Sequence, residues 1–531
     1  MTDSNQIKHD RPALTARPPI FWLRLIAIAL GFILLYIFYI TDLSSNPPGF
    51  YIDESAIAYN AFLIARTGAN EFGTRFPLFF PVYTGAWTQY ANPTQVYLLA
   101  IPFTVLKPTI LVARVYSASW VFAACLLLGW LAKRISGKET VGLLIAVIAI
   151  FTPWLFEVSR LVMETFFYPM AIVLFLFALY EAQKKQSWSW TNVLSVALTL
   201  TLLTYSYTIG RLLGPLLAGG LVLFATSQPR IISIVKTWVF FAATLIPLLI
   251  FRSKNPEALT QRFYLISYIK PDTPWSEIIP KFTHRYFEDM SLTSLLLDGD
   301  GNPRHHVYQS LGAFLIAAFI VVIIGIVMIG LRHWRQPFWR FVLFGAAASI
   351  VPGALTADQF HSLRLVAYPV FLLTLMIPGL AALLAPRHVS ASGSALHKTG
   401  AGSFWGGRIV LALLLIGMAW QAIHFQSVFR REGPNRGIFF DAPYKEVYDA
   451  AIAMSARPIF LVDGSQPSYE HALWYATVEG RDRNMFIHLE EGFAPPTGAI
   501  VISSEEQCFD CMIIKKSGGY LLYRTRQPFL P

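Results

Sequence analysis

The chain has 531 residues, of which 55% are hydrophobic and 14% are charged. Soluble proteins contain about 25% charged residues, so this composition excludes an ordinary soluble protein and indicates a polytopic membrane protein. The net charge of +11 is expected to lie in short loops that set membrane orientation, and no nucleic-acid partner is expected.

The chain begins with a polar stretch, which predicts a cytoplasmic N-terminal tail over residues 1–19. The apolar run 21–40 that follows is long enough to cross a bilayer and too long for a cleavable signal peptide. We therefore predict an uncleaved first transmembrane helix.

An acidic pair, Asp53 and Glu54, comes shortly after this first run. Carboxylates at a membrane boundary carry a desolvation cost, so they tend to have a function. We predict that both are catalytic, with Asp53 as the base that deprotonates an acceptor hydroxyl. The alternatives are that Asp53 only caps a helix and that Glu54 tunes its neighbour or binds a metal. Glu71 is predicted to bind substrate, although its turn-like context is also typical of a solvated loop residue.

About eleven transmembrane helices are predicted within a membrane core over residues 20–428. The run 94–106 is excluded from this number because it is short and is bracketed by Pro93 and Pro108. It is predicted as an interfacial or re-entrant helix within a first long outer loop, residues 42–110. After the first run, the predicted spans lie at about 111–131, 140–155, 165–181, 190–206, 211–226, 232–250, 310–330, 337–353, 365–385 and 408–425.

Positive charges predict the orientation of these spans. With the N-terminus in the cytoplasm, every inner loop is basic, whereas the short outer loops hold only isolated cations. A second long outer loop is predicted over residues 252–309. The inner-loop cations include Lys133, Arg134, Lys138, Lys184, Lys185, Arg230, Lys236, Arg332, Arg335, Arg387, Lys398 and Arg408.

The last part of the chain, residues 429–531, has a different composition. Strand-like patterns at 458–462, 499–502 and 520–523 and helical patterns at 443–456 and 467–479 predict a small α/β domain on the outer side. Cys508 and Cys511 form a single C-x-x-C pair. A closed zinc site needs about four ligands, so a local disulfide in an oxidising compartment is the favoured interpretation.

This layout predicts an enzyme that works outside, away from cytosolic nucleotide sugars, with a donor that arrives as a lipid-linked phosphate. Such a donor needs cations near the interface to hold its phosphate. His361 and Arg364 are three residues apart and are predicted to form a phosphate clamp on one side of a helix start. The residues predicted to bind substrate, besides Glu71, are Arg160, Glu164, Tyr207, Arg211, Arg304, His305, His361 and Arg364.

Structural alternatives stay open for several of these residues. Arg160 and Glu164 are four apart and could pair with each other. Arg211 could extend to the membrane interface, and Arg304 with His305 could belong to a polar loop. The stretch 298–302 lacks the full ligand pattern of an EF-hand, so no metal site is predicted. No cofactor is expected to be required, with a divalent cation as the alternative.

In this order of motifs the chain resembles the GT-C membrane glycosyltransferases, in particular the dolichyl-phosphate-mannose protein mannosyltransferases and the bacterial lipid A aminoarabinose transferases. The resemblance implies an inverting transfer of a sugar from a polyprenyl phosphate to a lipid, glycan or protein acceptor, with Asp53 as the base. The C-terminal segment does not resemble the β-trefoil insert of the eukaryotic mannosyltransferases, which argues against a protein acceptor. The resemblance is carried by Asp53 and Glu54, Asn92 and Pro93, Arg160, residues 207–211, Arg304 and His305, and residues 361–364.

We therefore expect a glycosyltransferase embedded among the lipids of the cytoplasmic (inner) membrane. A transporter or flippase of lipid-linked saccharides would instead place ionisable residues at mid-membrane and often contain inverted repeats. An O-antigen ligase or polymerase would depend on a large late outer loop, without an acidic pair after the first span.

Overall fold

The computed structural model describes residues 19–84, 88–308, 310–385, 402–490, 493–505, 507–508 and 511–526. The predicted tail up to residue 18 and the predicted inner-loop cations Arg387 and Lys398 lie outside these residues. The chain divides into two compact units, Met1–Thr41 and Asp42–Pro531. The first unit contains helix α1 (Pro19–Tyr39), in which 18 residues are apolar enough to cross a membrane.

The second unit is mainly helical, with one short antiparallel hairpin before the C-terminal sheet. The hairpin strands are β1 (Phe80–Val82) and β2 (Gln89–Ala91). The helices up to the C-terminal sheet are α2 (Ile52–Thr67), α3 (Pro93–Phe103), α4 (Ile110–Ser136), α5 (Glu139–Phe151), α6 (Pro153–Ser159), α7 (Tyr168–Gln183), α8 (Trp190–Ser206), α9 (Gly210–Gly220), α10 (Gln228–Thr244), α11 (Ile246–Lys254), α12 (Gln261–Ile266), α13 (Trp275–Glu288), α14 (Ile316–Met328), α15 (Pro337–Ala348), α16 (Val351–Ala354), α17 (Tyr368–Leu383) and α18 (Gly402–Glu432).

The prediction of a polytopic helical membrane protein is confirmed. Among the described residues, six helical stretches are long and apolar enough to span a bilayer. The bent pair α5–α6 adds a seventh if its two helices form one span, and three further apolar helices are shorter. The number of eleven spans therefore stays a prediction. Helix α3 is short, as expected for the run 94–106, and its position at an interface also stays a prediction.

Local sequence signals explain where several helices begin, end and pack. Thr109 precedes α4, and its hydroxyl accepts a hydrogen bond from the Val112 amide at 3.1 Å, as N-cap residues do. Helix α4 ends at Gly137, which has a left-handed φ of 69°, a conformation that favours glycine. Helices α4 and α5 meet closely, because a Cβ on Gly129 would lie 2.6 Å from the Gly142 carbonyl oxygen. Small residues permit such close helix packing in membranes.

The predicted inner-loop cations of residues 133–185 and 230 lie together at one end of the helices. Arg134 makes an ion pair with Glu181 at 3.0 Å. The Arg230 guanidinium donates to the Gln183 carbonyl at 3.0 Å, and Lys138 donates to the Ala381 carbonyl at 3.2 Å. These contacts join the C-terminal ends of α4, α7 and α17.

The predicted C-terminal α/β domain is confirmed. Helices α19 (Ala442–Ala453) and α20 (Tyr469–Glu479) accompany a sheet of five strands in the order β4-β3-β5-β7-β6. Strand β3 is parallel to β4 and β5, whereas β7 is antiparallel to β5 and β6. Cys508 and Cys511 are joined by a disulfide. The strands are β3 (Ile459–Val462), β4 (Phe486–Leu489), β5 (Ile500–Ser503), β6 (Cys511–Ser517) and β7 (Tyr520–Thr525).

Two strands were missed by the sequence patterns. Strand β6 lies at the edge of the sheet and is largely exposed, so its side chains are not sorted into a buried and a solvated face. Strand β4 is also an edge strand of only four residues. The alternation that marks a strand is weak where one face is not buried.

The first long loop (residues 42–110) and the C-terminal domain share one hydrophobic core. Phe50 stacks on Trp474 of α20, with 5.4 Å between the ring centroids. The Ile52 amide at the start of α2 donates to Asp441 Oδ2 at 3.1 Å. These contacts pack the C-terminal domain against α2. The predicted domain boundary at residue 429 stays a prediction.

Candidate active site

A cavity of about 960 Å³ lies among the first long loop, the second long loop (residues 252–309) and the segments after α6, α8 and α16. These segments are far apart in sequence, so the cavity depends on the tertiary packing of the helices. The charged and imidazole side chains that line it are Asp53, Glu164, Arg211, Arg262, Asp300, Arg304, His305, Asp358, His361 and Arg364.

Asp53 occupies the first turn of α2 and lines the cavity, with 27% of its side chain exposed. The Tyr83 hydroxyl donates to Asp53 Oδ1, and Arg262 Nη2 lies 4.0 Å from Asp53 Oδ2. The residue at the N-cap position of α2 is Tyr51. Asp53 is therefore placed where a ligand in the cavity can reach its carboxylate.

Glu54 points to the opposite flank of α2 and is fully buried. Both its oxygens face the Arg114 guanidinium, at 3.1 Å and 2.9 Å. It also accepts from the backbone amides of Tyr51 and Val162, each at 3.0 Å. Among the described residues, Glu54 does not line the cavity, so its geometry is that of a residue that fixes the start of α2.

Glu71 lies against the C-terminal domain rather than in the cavity wall. The Tyr469 hydroxyl donates to Glu71 Oε1 at 3.1 Å, and the Glu71 carboxyl is hydrogen-bonded to that of Glu470. Burial raises the pKa of Glu71 to about 7. Burial, and then the charge of Glu71, raise the pKa of Glu470 well above its usual range. Both carboxyls at this contact therefore keep their protons to a higher pH than usual.

Arg211 and Glu164 both line the cavity and are linked through Asn92. The Asn92 side chain donates to Glu164 at 2.9 Å and accepts from Arg211 Nη2 at 3.0 Å. The Thr208 hydroxyl also donates to Glu164, at 3.4 Å. Burial raises the pKa of Glu164. Tyr207 lines the same wall and packs edge-on against Tyr168, with 5.9 Å between the ring centroids.

Arg160, which the sequence predicted to bind substrate, is buried beside the cavity and does not appear among its lining residues. Its Nε donates to the Asn46 carbonyl at 3.0 Å, and its guanidinium lies over the rings of Phe156 and Phe429 at 4.8 Å and 5.2 Å. Glu164 hydrogen-bonds to Asn92 and Thr208. Arg160 packs α6 against the first long loop and α18.

Arg304 and Arg364 approach the cavity from two other segments. The Arg304 guanidinium lies over the Tyr51 ring at 4.4 Å. Arg364 Nη1 contacts Asp358 Oδ2 at 2.6 Å and donates to the Thr356 hydroxyl at 2.7 Å. Within the described part of the chain, Arg304 makes no ion pair with a carboxylate. It is therefore the more available of the two for an anionic ligand.

His305 and His361 lie together in the cavity wall, with 4.4 Å between their ring centroids. His305 Nδ1 is 2.9 Å from Asp300 Oδ2, and this oxygen also accepts from the amide and hydroxyl of Ser362 at 2.7 Å and 2.8 Å. Although burial opposes it, the contact with His305 holds the pKa of Asp300 below its usual range. Burial, and then the charge of His305, lower the pKa of His361 well below its usual range.

Three cavity residues had no sequence signal. Arg262 is one of several cations in the second long loop, Tyr83 follows β1, and Asp300 belonged to a stretch considered only as a calcium loop. Arg262 donates to the Gln89 side chain and lies beside Asp53. Arg262 and Asp300 lie near Tyr83 and Asp53 because the second long loop packs close to the first.

The fold is similar to that of a protein whose crystal structure is known. The crystal structure of ArnT from Cupriavidus metallidurans in the apo state matches this chain with a TM-score of 0.53 and 12% sequence identity, over 95% of this chain and 98% of that chain. A crystal structure of ArnT from the same organism bound to undecaprenyl phosphate has a TM-score of 0.48 and 11% identity over the same shares. No family model and no curated protein matches the chain. The first match shows an ArnT-like fold.

Proposed function

We propose that this protein is an inverting glycosyltransferase that moves a sugar from a polyprenyl phosphate donor to a lipid, glycan or protein acceptor. The observation that carries the proposal is the position of Asp53 in one cavity with four arginines from three segments, in a chain with an ArnT-like fold. A carboxylate for the acceptor and cations for the donor phosphate are the two requirements of such a transfer.

Asp53 activates the acceptor in this mechanism. Its carboxylate accepts the proton of an acceptor hydroxyl while the hydroxyl oxygen forms a bond to the anomeric carbon of the donor sugar. The bond between that carbon and the phosphate oxygen breaks, and the polyprenyl phosphate leaves with the electron pair. Tyr83 and Arg262 orient Asp53 through the contacts described above. Glu54 positions the helix that carries it.

Arg211 and Arg304 are the residues best placed to hold the donor phosphate. Both line the cavity, and within the described residues neither makes an ion pair with a carboxylate. Arg364 also lines the cavity, but it is held by Asp358, so it contributes positive charge without being free to follow the phosphate. Charge-assisted hydrogen bonds from arginine stabilise a phosphate both as a ligand and as a leaving group.

The volume and the lining of the cavity also support a lipid-linked sugar. Its volume of about 960 Å³ lies at the upper end of the range for small-molecule sites, about 300–1,000 Å³. Apolar side chains line it together with the charged ones, including Ile57, Val82 and Leu212. A sugar phosphate and the first part of an isoprenoid chain have this mixed character.

The proposed location is the outer face of the cytoplasmic membrane, with a cytoplasmic N-terminus and the C-terminal domain outside. The basic loops support this orientation by the positive-inside rule, and the Cys508–Cys511 disulfide is the state expected in an oxidising compartment. The donor then reaches the cavity from the membrane.

The product of the transfer is first identified by mass spectrometry of envelope lipids and glycoproteins from cells with and without the gene. Replacement of Asp53 then tests the proposed base. Asp53→Asn is expected to lower transfer in membranes by about 10²–10⁴-fold, and Asp53→Glu to retain part of the activity. Asp272→Asn, at an exposed aspartate of the second long loop, is the matched control. Transfer by Asp53→Asn at the rate of the unmodified protein would contradict the proposed base.

A further inference from the structure

The wall formed by Asp300, His305 and His361 contains a group of potential metal ligands. Asp300 and His305 belong to the second long loop, and His361 to the segment between α16 and α17. One carboxylate oxygen and one nitrogen of each imidazole all lie within 4.8 Å of one another. We propose that these three residues bind a divalent transition-metal ion of the Zn²⁺ type, with a coordination position open to the cavity.

The first argument is the buried nitrogen of His361. Its Nδ1 is buried and has no hydrogen-bond partner, although buried polar atoms in proteins nearly always have one. The neighbouring His305 ring, 4.4 Å away, supplies no hydrogen bond to it. A metal ion between the two rings provides the missing partner, because a neutral imidazole nitrogen is a common metal ligand.

The second argument is the way Asp300 is held. Its Oδ2 is fixed by the amide and hydroxyl of Ser362, and its Oδ1 accepts from the Asn302 amide at 2.9 Å. The contact with His305 Nδ1 at 2.9 Å leaves Nε2 of that ring for a ligand. A carboxylate that orients a histidine is a recurring support of metal sites. Asp300 completes the site either by this contact or by direct coordination.

The chemistry of the ligands selects the class of ion. Two imidazoles and one carboxylate match catalytic zinc sites, which use three protein ligands and keep one position open. Ca²⁺ and Mg²⁺ prefer oxygen ligands. All three residues and Arg364 line the cavity, so the open position is accessible to an anionic oxygen such as that of a phosphate. If the proposed transfer is correct, this is the wall that the donor phosphate meets.

A purely structural role is the competing explanation, in which Asp300 only ties the second long loop to Ser362. That role accounts for Asp300 and for Nδ1 of His305, which are hydrogen-bonded to each other. It does not account for His361, whose burial beside a second imidazole and Arg364 is unfavourable without a ligand. A metal ion accounts for all three residues.

Metal binding to the full-length protein in detergent tests the site. After chelator treatment, we expect about one Zn²⁺ per chain by calorimetry and elemental analysis. His305→Ala and His361→Ala should each weaken binding by at least about 10-fold. His284→Ala is the control, because His284 is an exposed imidazole of the same long loop. If an alanine variant is not monodisperse, His305→Gln and His361→Gln replace it.

Co²⁺ as a spectroscopic probe tests the open position. Its absorption bands should change when inorganic phosphate is added to the unmodified protein, and not when it is added to the His305→Ala/His361→Ala double variant. Failure of the unmodified protein to bind Zn²⁺ at about one ion per chain, or equal binding by the double variant, would overturn the site. Asp53→Asn should bind the metal normally, so loss of transfer in that variant and loss of the metal site are separate outcomes.

Discussion

The two flanks of α2 place acidic residues in opposite environments. The cavity flank, formed by Asp53 and Tyr83, leaves a carboxylate accessible, with one hydroxyl donor and a distant guanidinium. The packed flank, formed by Glu54, Glu71 and their partners, buries its carboxyls against Arg114 and against Glu470. The comparison shows that two adjacent acidic residues in one motif can differ in role. One carboxylate stays accessible to a ligand, whereas the other is buried in an ion pair, and the two differ in solvent exposure and in their hydrogen-bond partners.

The largest effect should come from breaking the ion pair of the packed flank. Glu54→Gln leaves the fully buried Arg114 guanidinium without a counter-charge, which typically costs about 3–5 kcal/mol of stability. Asp53→Asn, one residue earlier, should change stability by less than about 0.5 kcal/mol, as expected for an accessible site. Thermal unfolding in detergent measures both.

The double variant Glu54→Gln/Arg114→Met sharpens this result. Removal of both charges should recover part of the lost stability, because an unpaired buried charge is more costly than an apolar replacement of the pair. If Glu54→Gln and Asp53→Asn lowered the stability equally, the two flanks would not differ in their contribution to stability, contrary to this prediction.

The second prediction concerns the Glu71–Glu470 contact of the packed flank. Burial raises the pKa of Glu71 from its ordinary value of 4.5 to about 7. The folded state therefore binds more protons than the unfolded state between these values, and its stability falls as the pH rises through this window. The loss should be at most about 3.5 kcal/mol, since each pKa unit corresponds to about 1.4 kcal/mol.

Thermal unfolding across this pH range tests the prediction. Glu71→Gln should flatten the decline, because its amide does not titrate, while the exposed Glu277→Gln should leave the slope unchanged. A midpoint that rises with pH across the same window in the unmodified protein would show that Glu71 titrates normally in the fold.

The smallest effect should come from Tyr83 on the cavity flank. Tyr83→Phe removes the hydroxyl that donates to Asp53 and should lower the transfer rate by roughly fivefold, corresponding to about 1 kcal/mol for one hydrogen bond. Stability should change little. Tyr97→Phe is the control, because the Tyr97 hydroxyl donates to the Pro77 carbonyl in the same loop and does not line the cavity. A greater loss of activity from Tyr97→Phe than from Tyr83→Phe would contradict the role of Tyr83.

The site was only partly predictable from sequence. Asp53, Arg211 and Arg304 were predicted as site residues because charged residues near predicted span ends are uncommon, and the structure places all three in one cavity. The same criterion selected Glu54 and Arg160, which are equally charged and equally close to a span end but are buried in packing contacts. Arg262 escaped notice because its partner Asp53 lies in another loop, and no spacing connects the two.

The sequence by itself determined the membrane class, the short helix α3 and the main strands of the C-terminal domain. These features follow from local composition and periodicity, which act over a few residues. Only the tertiary structure decided which acidic residue meets the cavity and which meets Arg114. It also decided that His305 and His361 share one wall and that the C-terminal domain packs on α2. Such contacts join segments far apart in the chain, separated by 60 residues for Glu54 and Arg114 and by 389 for Ile52 and Asp441. Their energies depend on burial and partners that no local pattern encodes.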